Sequence, residues 1–290
     1  MITFKASRVS ESVYLCHGQL YNRTAITAHQ IVLKQLTPMT EQTVSIDKLY
    51  NGAANAGNGG YICGLMASFI DGDAEVRVNN AFPVETPLQP VMTGDGGVEM
   101  YLGDKLLGSA RPTVLELNIP TPPDFETARR ASEDFIFLHS IDAKGCYVCS
   151  PIRTPDKGLR VFIGPMDNLA KRSVGENLVA AQWRPTPNLA DKDGHIKNIY
   201  VWSVLDCPGV YALKLRYPES GILVLGSCTA SIKRPLPADQ SYIVSGWQIA
   251  PAGGKKLHMG VAIHSIDGEL IACAKQICFD IGETLPAVSK

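Results

Sequence analysis

The sequence feature that most constrains the fold is a run of small and turn-forming residues that leads directly into an apolar segment, between residues 51 and 72. The run reads NGAANAGNGG, and the segment YICGLMASFI follows it. Four apolar side chains fall at i, i+3, i+4 and i+7, the spacing of one helix face: Ile62, Leu65, Met66 and Phe69. Asn58 is a suitable N-cap, and Asp71-Gly72 can close the helix. We therefore predict a buried helix over 58–70 that starts in a glycine-rich turn.

A glycine-rich helix start has two interpretations. The first backbone N–H groups of a helix lack intrahelical partners, and glycines leave room for an oxygen with negative charge to approach them. The turn would then be part of a binding site. Alternatively, the glycines only give clearance where the helix packs against a sheet. The residues alone leave both interpretations open.

Downstream of this helix the sequence contains strand candidates separated by turns. AEVRVNNAF, VEMYLG and LLGSARPTVLEL have strand character, and the turn-forming pair Gly103-Asp104 separates the last two. From Asn118 the chain gathers prolines and loses apolar periodicity, which indicates a linker. We predict an N-terminal unit over 1–125, a linker over 126–145 and a C-terminal unit over 146–290. Helix first and strands afterwards is typical of an α+β fold.

The second half repeats the order of elements seen in the first. LLGSAR at 106–111 aligns with LIACAK at 270–275, and a proline-marked corner precedes each. A second helix is expected to begin near Pro208, with Asp206 or Cys207 at the cap, and to end before Pro218. One helix and one antiparallel sheet, present twice, predict two units related by a pseudo-two-fold axis. If the sheets join edge to edge, the two helices come together.

Composition excludes several classes of function. The chain has 27 basic and 28 acidic residues and a net charge of −1, so it lacks the basic footprint of a nucleic-acid-binding protein. The first residues do not form a signal peptide, and no apolar run approaches the roughly 20 residues that span a bilayer. We expect a cytoplasmic protein without a membrane span. Eight cysteines in a chain of this length do not indicate a disulfide scaffold.

These residues resemble the hotdog-fold superfamily of acyl-CoA thioesterases and related acyl-thioester proteins, in its tandem single-chain form. NGGY at 58–61 with its apolar helix carries the likeness in the first half. In the second half it is carried by CYVCSPIRTPDKGLRVFIGP at 146–165 and VWSVLDCPGVYAL at 201–213, a pattern similar to poorly characterised bacterial double-hotdog proteins. The resemblance covers most of the chain beyond Leu49. It implies two hotdog units, each an antiparallel sheet wrapped around a central helix.

The resemblance also implies a site for thioester hydrolysis. In hotdog thioesterases a glycine-rich turn at the central helix holds the carbonyl oxygen, which implies Gly60 and Tyr61 as backbone N–H donors. Asn58 and Gly59 would position the substrate. Asp206 is the one acidic residue at the start of either predicted helix, and it could serve as a general base or as a nucleophile. The alternative is that Asp206 only caps its own helix.

The implied partner is an acyl-CoA or an acyl-carrier thioester, with coenzyme A as part of the substrate and no separate cofactor. The phosphates of coenzyme A need cations, and Lys233 and Arg234 form a basic pair near the predicted site. A solvated surface pair is the alternative for these two residues. Because hotdog units pair, a homodimer is one arrangement that the resemblance allows.

Two other activities remain open within this superfamily. The chain could be a non-catalytic acyl-CoA-binding protein, or a lyase, dehydratase or isomerase that acts on a thioester. Hotdog dehydratases use a histidine near the helix start, in patterns not found here. Five of the six histidines instead fall in candidate strands or loops: His17, His29, His195, His258 and His264. Hydrolysis is therefore favoured over dehydration.

Cys146 and Cys149 form a CxxC motif. A structural zinc site needs four ligands, and the sequence offers neither a second CxxC nor a suitably spaced histidine pair. Redox motifs favour a helix start, whereas Ser150-Pro151 indicates a loop. We interpret the motif as a turn between the two units and expect no metal.

Overall fold

The structure is a computed structural model that describes residues 43–52, 55–135, 145–251 and 254–282. Antiparallel strand pairing dominates it. The chain divides into two units, Met1–Glu41 and Gln42–Lys290, and every described residue belongs to the second. His17, His29 and the first 42 residues of the predicted N-terminal unit lie outside the described residues. The described part is an α+β structure with one large sheet and few helices, which confirms the predicted fold class.

Ten strands of the described residues form this sheet, and every neighbouring pair is antiparallel. The strands are β1 Ala74–Val78, β2 Gln89–Met92, β3 Val98–Leu102, β4 Lys105–Pro112, β5 Gly164–Pro165, β6 Asn177–Trp183, β7 Leu223–Ile232, β8 Tyr242–Gln248, β9 Lys256–Ser265 and β10 Leu270–Asp280. Their order in the sheet is β2-β3-β4-β1-β7-β10-β9-β8-β6-β5. The predicted strands β1, β3 and β4 are confirmed, as is the turn between the last two.

The helices are α1 Gly59–Ala67, α2 Phe125–Glu133, α3 Asn198–Val204 and α4 Cys207–Arg216. Short 3₁₀ turns occur at Lys48–Tyr50, Leu169–Lys171 and Pro187–Leu189. Helix α1 packs on β1 and β4, while α4 packs on β6, β8 and β9. No helix in the described ranges is long and apolar enough to cross a bilayer.

The seam between β1 and β7 joins strands from the two halves of the sequence. Ala74 pairs with Ala230, and Val76 pairs with Cys228. On its other edge each seam strand pairs with a strand of its own half: β1 with β4, and β7 with β10. The aligned segments LLGSAR and LIACAK therefore occupy corresponding positions, one strand away from the seam on either side.

Helix α1 is buried on more than one side because glycines let a second helix approach it. A Cβ atom on Gly60 would lie 2.6 Å from the carbonyl oxygen of Trp202, and one on Gly64 would lie 2.8 Å from Cα of Ile199. Both contacts are with α3, so small residues at these positions are required. The predicted helix is confirmed, but it ends at Ala67 with Ser68 as its C-cap, three residues before the predicted end at residue 70. Close packing accounts for part of its glycine content.

Helix α4 is also as predicted, whereas α2 and α3 were not predicted. Helix α4 begins at Cys207, has Pro208 in its first turn and ends at Arg216, before Pro218. Helix α2 falls within the segment predicted as a linker, is capped by Asp124, and buries Ala128 and Ala131 against β6 and β8. The division at 126–145 stays a prediction.

Candidate functional site

The starts of helices α1 and α4 meet in the protein interior, although the contacting residues are 146 positions apart in sequence. Asp206, at the N-cap position of α4, extends to the start of α1. Its Oδ2 atom accepts a 2.9 Å hydrogen bond from the backbone N–H of Gly60 and a 3.4 Å hydrogen bond from Nδ2 of Asn58. Asp206 and Asn58 are both buried. Three of the predicted site residues thus lie in direct contact.

The start of α1 is held by its own cap. Oδ1 of Asn58 accepts a 3.0 Å hydrogen bond from the N–H of Tyr61, the geometry of an N-cap. The two N–H groups predicted as donors for a substrate oxygen are therefore already paired, that of Tyr61 with Asn58 and that of Gly60 with Asp206. Gly59 also lies against the carboxylate, since a Cβ atom there would be 2.9 Å from Oδ2 of Asp206.

The start of α4 is held differently. Asp206 makes no side-chain hydrogen bond to its own helix, although Asp is a common N-cap. Instead, Nε2 of Gln276 on β10 donates to the carbonyl oxygens of Leu205 and Asp206, at 2.5 and 2.9 Å. Gln276 is fully buried. The alternative that Asp206 serves only as a cap is thus not what the geometry shows.

Gln276 is a residue that the sequence analysis missed. It follows Ala272 and Ala274 at alternate positions of β10, all of them buried. A buried glutamine on an apolar strand face requires a polar partner, and this was the available signal. The identity of the partner, two backbone carbonyl groups 70 and 71 residues upstream, cannot be read from local pattern.

The environment of Asp206 changes its acidity. Burial raises the pKa of its carboxyl to about 7, because a low-dielectric interior disfavours the charged form. The N–H of Gly60 and the amide of Asn58 lower this pKa, since both donate to the carboxylate, while the nearby sulfur of Cys146 raises it. A carboxyl group with an acidity so far from its ordinary value is a common property of functional sites.

Four tyrosines form a cluster next to the glycine turn. The rings of Tyr50 and Tyr61 stack with centroids 4.1 Å apart, and Tyr147 meets Tyr50 edge-on at 5.0 Å. Tyr200 completes the group, and its hydroxyl lies 3.3 Å from that of Tyr50. Burial raises the pKa of the Tyr61 and Tyr147 hydroxyls, so both are neutral. This tyrosine cluster forms an aromatic wall beside Gly60.

Three cysteines lie together behind Asn58. The sulfurs of Cys146, Cys149 and Cys207 all lie within 4.8 Å of one another. Nδ2 of Asn58 is 3.8 Å from the sulfur of Cys146, so the same amide contacts both this sulfur and Asp206. Hydrogen bonds from the thiols of Cys149 and Cys207 lower the pKa of Cys146. The sequence analysis considered the CxxC motif alone and missed Cys207 as its neighbour.

Lys233 and Arg234 form their ion pairs away from Asn58, Gly60 and Asp206. Lys233 lies 3.8 Å from Asp73, and Arg234 pairs with Glu269 at 2.6 Å. Leu225 on β7 approaches Gly59 and lies eight residues before Lys233, which directly follows the end of this strand. Eight residues of extended strand separate the two by about 26 Å. These cations could reach only a distant part of a long substrate.

A cavity of about 580 Å³ lies elsewhere on the described surface. Its walls include Arg129, Phe162 and Arg184, and they do not include Asn58, Gly60 or Asp206. Within the described residues, the hydrogen bonds of Asp206 involve no histidine. His258 and His264 lie on β9, and burial lowers the pKa of His264 to about 4.

Comparisons with known proteins identify the fold. A scan against protein-family models gives no match, and neither does a search of curated proteins. Three solved structures are similar over most of their length. An acyl-CoA thioesterase II, TesB2, from Mycobacterium marinum is 16% identical with a TM-score of 0.51, over 78% of this chain and 90% of that one.

The other two are candidate thioesterases. A thioesterase candidate from Novosphingobium aromaticivorans is 10% identical with a TM-score of 0.52, over 83% of this chain and 95% of that one. A candidate thioesterase II from Thermobifida fusca is 12% identical with a TM-score of 0.51, over 82% and 91% of the two chains. At these identities the similarity shows the fold alone. Similarity to thioesterase structures, which the resemblance implied, is confirmed at the level of the fold.

Proposed function

We propose that this chain, which shares its fold with thioesterase II structures, is an acyl-thioester hydrolase whose site lies where the starts of α1 and α4 meet. The observation that carries the proposal is the hydrogen bond from the N–H of Gly60 to the carboxylate of Asp206. It places a helix-start N–H donor and a carboxylate from the other half of the chain in one buried contact. These are the two groups that thioester hydrolysis requires.

Strand register supports the proposal that the chain is a duplication. In the alignment of the two halves, Ala110 corresponds to Ala274. Val76 pairs with Ala110, and Ala230 pairs with Ala274, so Val76 corresponds to Ala230. By the same shift Ala74 is carried onto Cys228. If each residue is replaced by its counterpart in the other half, the seam pair Ala74–Ala230 becomes the pair Cys228–Val76. This second pair is also present in the seam. A pseudo-two-fold axis through the β1–β7 seam has this property.

Exchange of the halves explains why the two helix starts could share one reaction. Helix α1 contributes a glycine turn without a carboxylate, and α4 contributes a carboxylate that does not cap its own helix. A single asymmetric site follows, since each half supplies what the other lacks. The alternative of two equivalent sites would require an acidic residue at the start of α1, where Asn58 stands.

In the proposed reaction the thioester carbonyl oxygen replaces Oδ2 of Asp206 as the acceptor for the N–H of Gly60. The released carboxylate accepts a proton from a water molecule as the water oxygen attacks the carbonyl carbon. Negative charge then develops on the carbonyl oxygen, where the Gly60 N–H and the helix dipole stabilise it. The carbon–sulfur bond breaks, the thiolate leaves and takes up the proton, and a carboxylic acid and a free thiol are the products.

The surroundings support a thioester with an apolar acyl group. The tyrosine cluster of Tyr50, Tyr61, Tyr147 and Tyr200 stands beside the glycine turn and offers ring faces to an acyl chain. Lys233 and Arg234 are proposed to contact the phosphates of coenzyme A. Their distance from Asp206 restricts them to the far end of that group.

One observation favours a second candidate function, binding without hydrolysis. Both N–H donors at the start of α1 are satisfied within the protein, that of Gly60 by Asp206 and that of Tyr61 by Asn58. If Asp206 does not release Gly60, an acyl-CoA could bind beside the tyrosines without being hydrolysed. The protein would then be an acyl-CoA-binding module.

A panel of acyl-CoAs of increasing chain length distinguishes the two functions. The purified chain is incubated with each thioester, and free thiol is measured together with the binding heat. The hydrolase proposal predicts catalytic release of thiol, many turnovers per chain, for at least one member of the panel. Binding of an acyl-CoA without thiol release would contradict the hydrolase and establish the binding module instead.

A further inference from the structure

We propose that Cys146, Cys149 and Cys207 form a binding site for a thiophilic metal ion, with Zn²⁺ as the expected occupant. The three residues come from two separate segments, the turn 146–149 and the first position of α4. All three side chains are buried. The proposed hydrolysis does not use their thiol groups.

The distances fit a thiolate site. The sulfurs of Cys146 and Cys207 are 3.9 Å apart, and all three sulfurs lie within 4.8 Å of one another. In a tetrahedral zinc site with Zn–S bonds of about 2.3 Å, neighbouring sulfurs are separated by about 3.8 Å. A small inward movement of Cys149 would therefore let one ion contact all three sulfurs. Cysteine sulfur is also the ligand type that selects zinc over calcium or magnesium.

The turn is built to hold a negatively charged sulfur. The thiols of Cys149 and Cys207, and to a lesser degree the backbone N–H groups of Cys149 and Val148, lower the pKa of Cys146. The turn is closed by a 3.3 Å hydrogen bond from the N–H of Ser150 to the carbonyl oxygen of Cys146. Hydrogen bonds of this kind stabilise a metal-bound thiolate and fix its direction.

Neighbouring groups supply the remaining polar contacts. Nδ2 of Asn58 lies 3.8 Å from the sulfur of Cys146. Three thiolates with a divalent ion carry one negative charge, and the guanidinium of Arg153 interacts with Cys146. The three cysteines fill three of the four positions of a tetrahedral ion, and a solvent molecule is the expected fourth ligand.

Binding of the ion would fasten the 146–149 turn to the start of α4. Cys207 directly follows Asp206, and Asn58 contacts both Cys146 and Asp206. The ion would thus stabilise the segment from which Asp206 projects. The inference does not depend on hydrolysis, because metal content is measured without any substrate.

The test starts with the full chain, produced with added zinc and purified under a reducing agent that does not bind metals. Metal content per chain is measured by mass spectrometry. After removal of metal, the chain is titrated with Co²⁺ alone, because thiolate-bound Co²⁺ shows charge-transfer absorption and intense visible bands when tetrahedral. We expect about one ion per chain, thiolate charge-transfer absorption, and a lower Tm after metal removal.

Serine variants locate the site. Cys207→Ser and Cys149→Ser should weaken binding by roughly tenfold or more and reduce the charge-transfer absorption. Cys273→Ser is the matched control, since Cys273 is buried on β10 in a separate cluster with Trp247 and Ala262. It should retain the ion, and circular dichroism verifies that each variant is folded.

Three outcomes would overturn the proposal. The wild-type chain could lack both zinc and the cobalt spectrum, or Cys207→Ser and Cys149→Ser could bind the ion as well as Cys273→Ser does. Thiol counting under denaturing conditions could also show two of the three cysteines joined in a disulfide in the reduced preparation. If a variant fails to fold, the wild-type cobalt spectrum still decides whether thiolates bind the ion.

Discussion

The two helix starts that meet in the interior differ in how their first residues are used. At α1, Asn58 caps its own helix through the N–H of Tyr61. At α4, Asp206 leaves its own helix without a side-chain cap and accepts instead from Gly60, across the interface. The start of α4 is held from outside by Gln276. A conventional cap and an unconventional one thus lie in contact.

Under the proposed function, this difference is an exchange of stability for a reactive arrangement. A side-chain cap contributes about 1 kcal/mol, and α4 does without that contribution from Asp206. Burial of the carboxyl group has a further cost, because its charged form loses water. Such a cost is expected where a group is kept for chemistry rather than for stability.

The largest effect is expected from a side chain added at Gly60, at the start of α1. In Gly60→Ala the new Cβ atom would lie 2.6 Å from the carbonyl oxygen of Trp202 and 2.8 Å from Cα of Ser203, both backbone atoms. We expect a loss of about 3 kcal/mol in unfolding free energy, together with loss of thiol release. Urea denaturation and the acyl-CoA assay measure these effects. Gly94→Ala, where a Cβ atom has no neighbour within 4 Å, should change neither.

Removal of the external support at α4 should have the next largest effect. Gln276→Met would leave the buried carbonyl groups of Leu205 and Asp206 without their side-chain donor, at a cost of about 2 kcal/mol. Because Asp206 would lose its position, kcat should fall while KM changes little. Gln248→Met is a control, since Gln248 is a buried strand glutamine bonded to Tyr217. Equal loss of kcat in the two variants would show that Gln276 has only a general packing role.

The cap at α1 should have a smaller effect on stability, and one that differs from an ordinary cap. Asn58→Ala removes the acceptor for the N–H of Tyr61 and should cost about 1 kcal/mol. Asp124→Ala removes the equivalent cap of α2, which is bonded to Thr127, and should cost a similar amount. Only Asn58→Ala is expected to lower thiol release, because Asn58 also contacts Asp206. If kcat is unchanged in Asn58→Ala, the side chain of Asn58 serves only as a helix cap.

The smallest effect is expected far from both starts. The double variant Lys233→Ala, Arg234→Ala should raise KM for an acyl-CoA by about threefold and leave kcat unchanged, because these cations are proposed to contact only phosphates. Both residues already have acidic partners, so the loss in stability should be under about 1 kcal/mol. A KM equal to that of the wild type would show that Lys233 and Arg234 do not contact the substrate.

The residues that the sequence predicted correctly are those whose partners are local. Helix α1 followed from its apolar spacing and Asn58, and α4 followed from Pro208 and Pro218, because caps and prolines act within one helical turn. Helix α2 was missed because charged side chains surround its two buried alanines, Ala128 and Ala131.

The parts that could not be predicted depend on contacts across the fold. Gln276 bonds to carbonyl groups some seventy residues away, and Cys207 joins Cys146 and Cys149 only once α4 is packed. The prediction that the two helices come together required the internal repeat in the sequence. Local periodicity alone gives no such pairing, because it specifies which face of an element is apolar but not which element covers it.

The most direct measurement is the rate of thiol release by Asp206→Asn, compared with the wild-type chain on its best acyl-CoA. Asparagine retains an acceptor for the N–H of Gly60 but cannot take a proton from water, so kcat should fall by about 10²–10³. Asp239→Asn, at an exposed ion pair with Arg184, is the control and should have wild-type kcat. An Asp206→Asn variant that is folded and releases thiol at the wild-type rate would contradict a catalytic contact between the two helix starts.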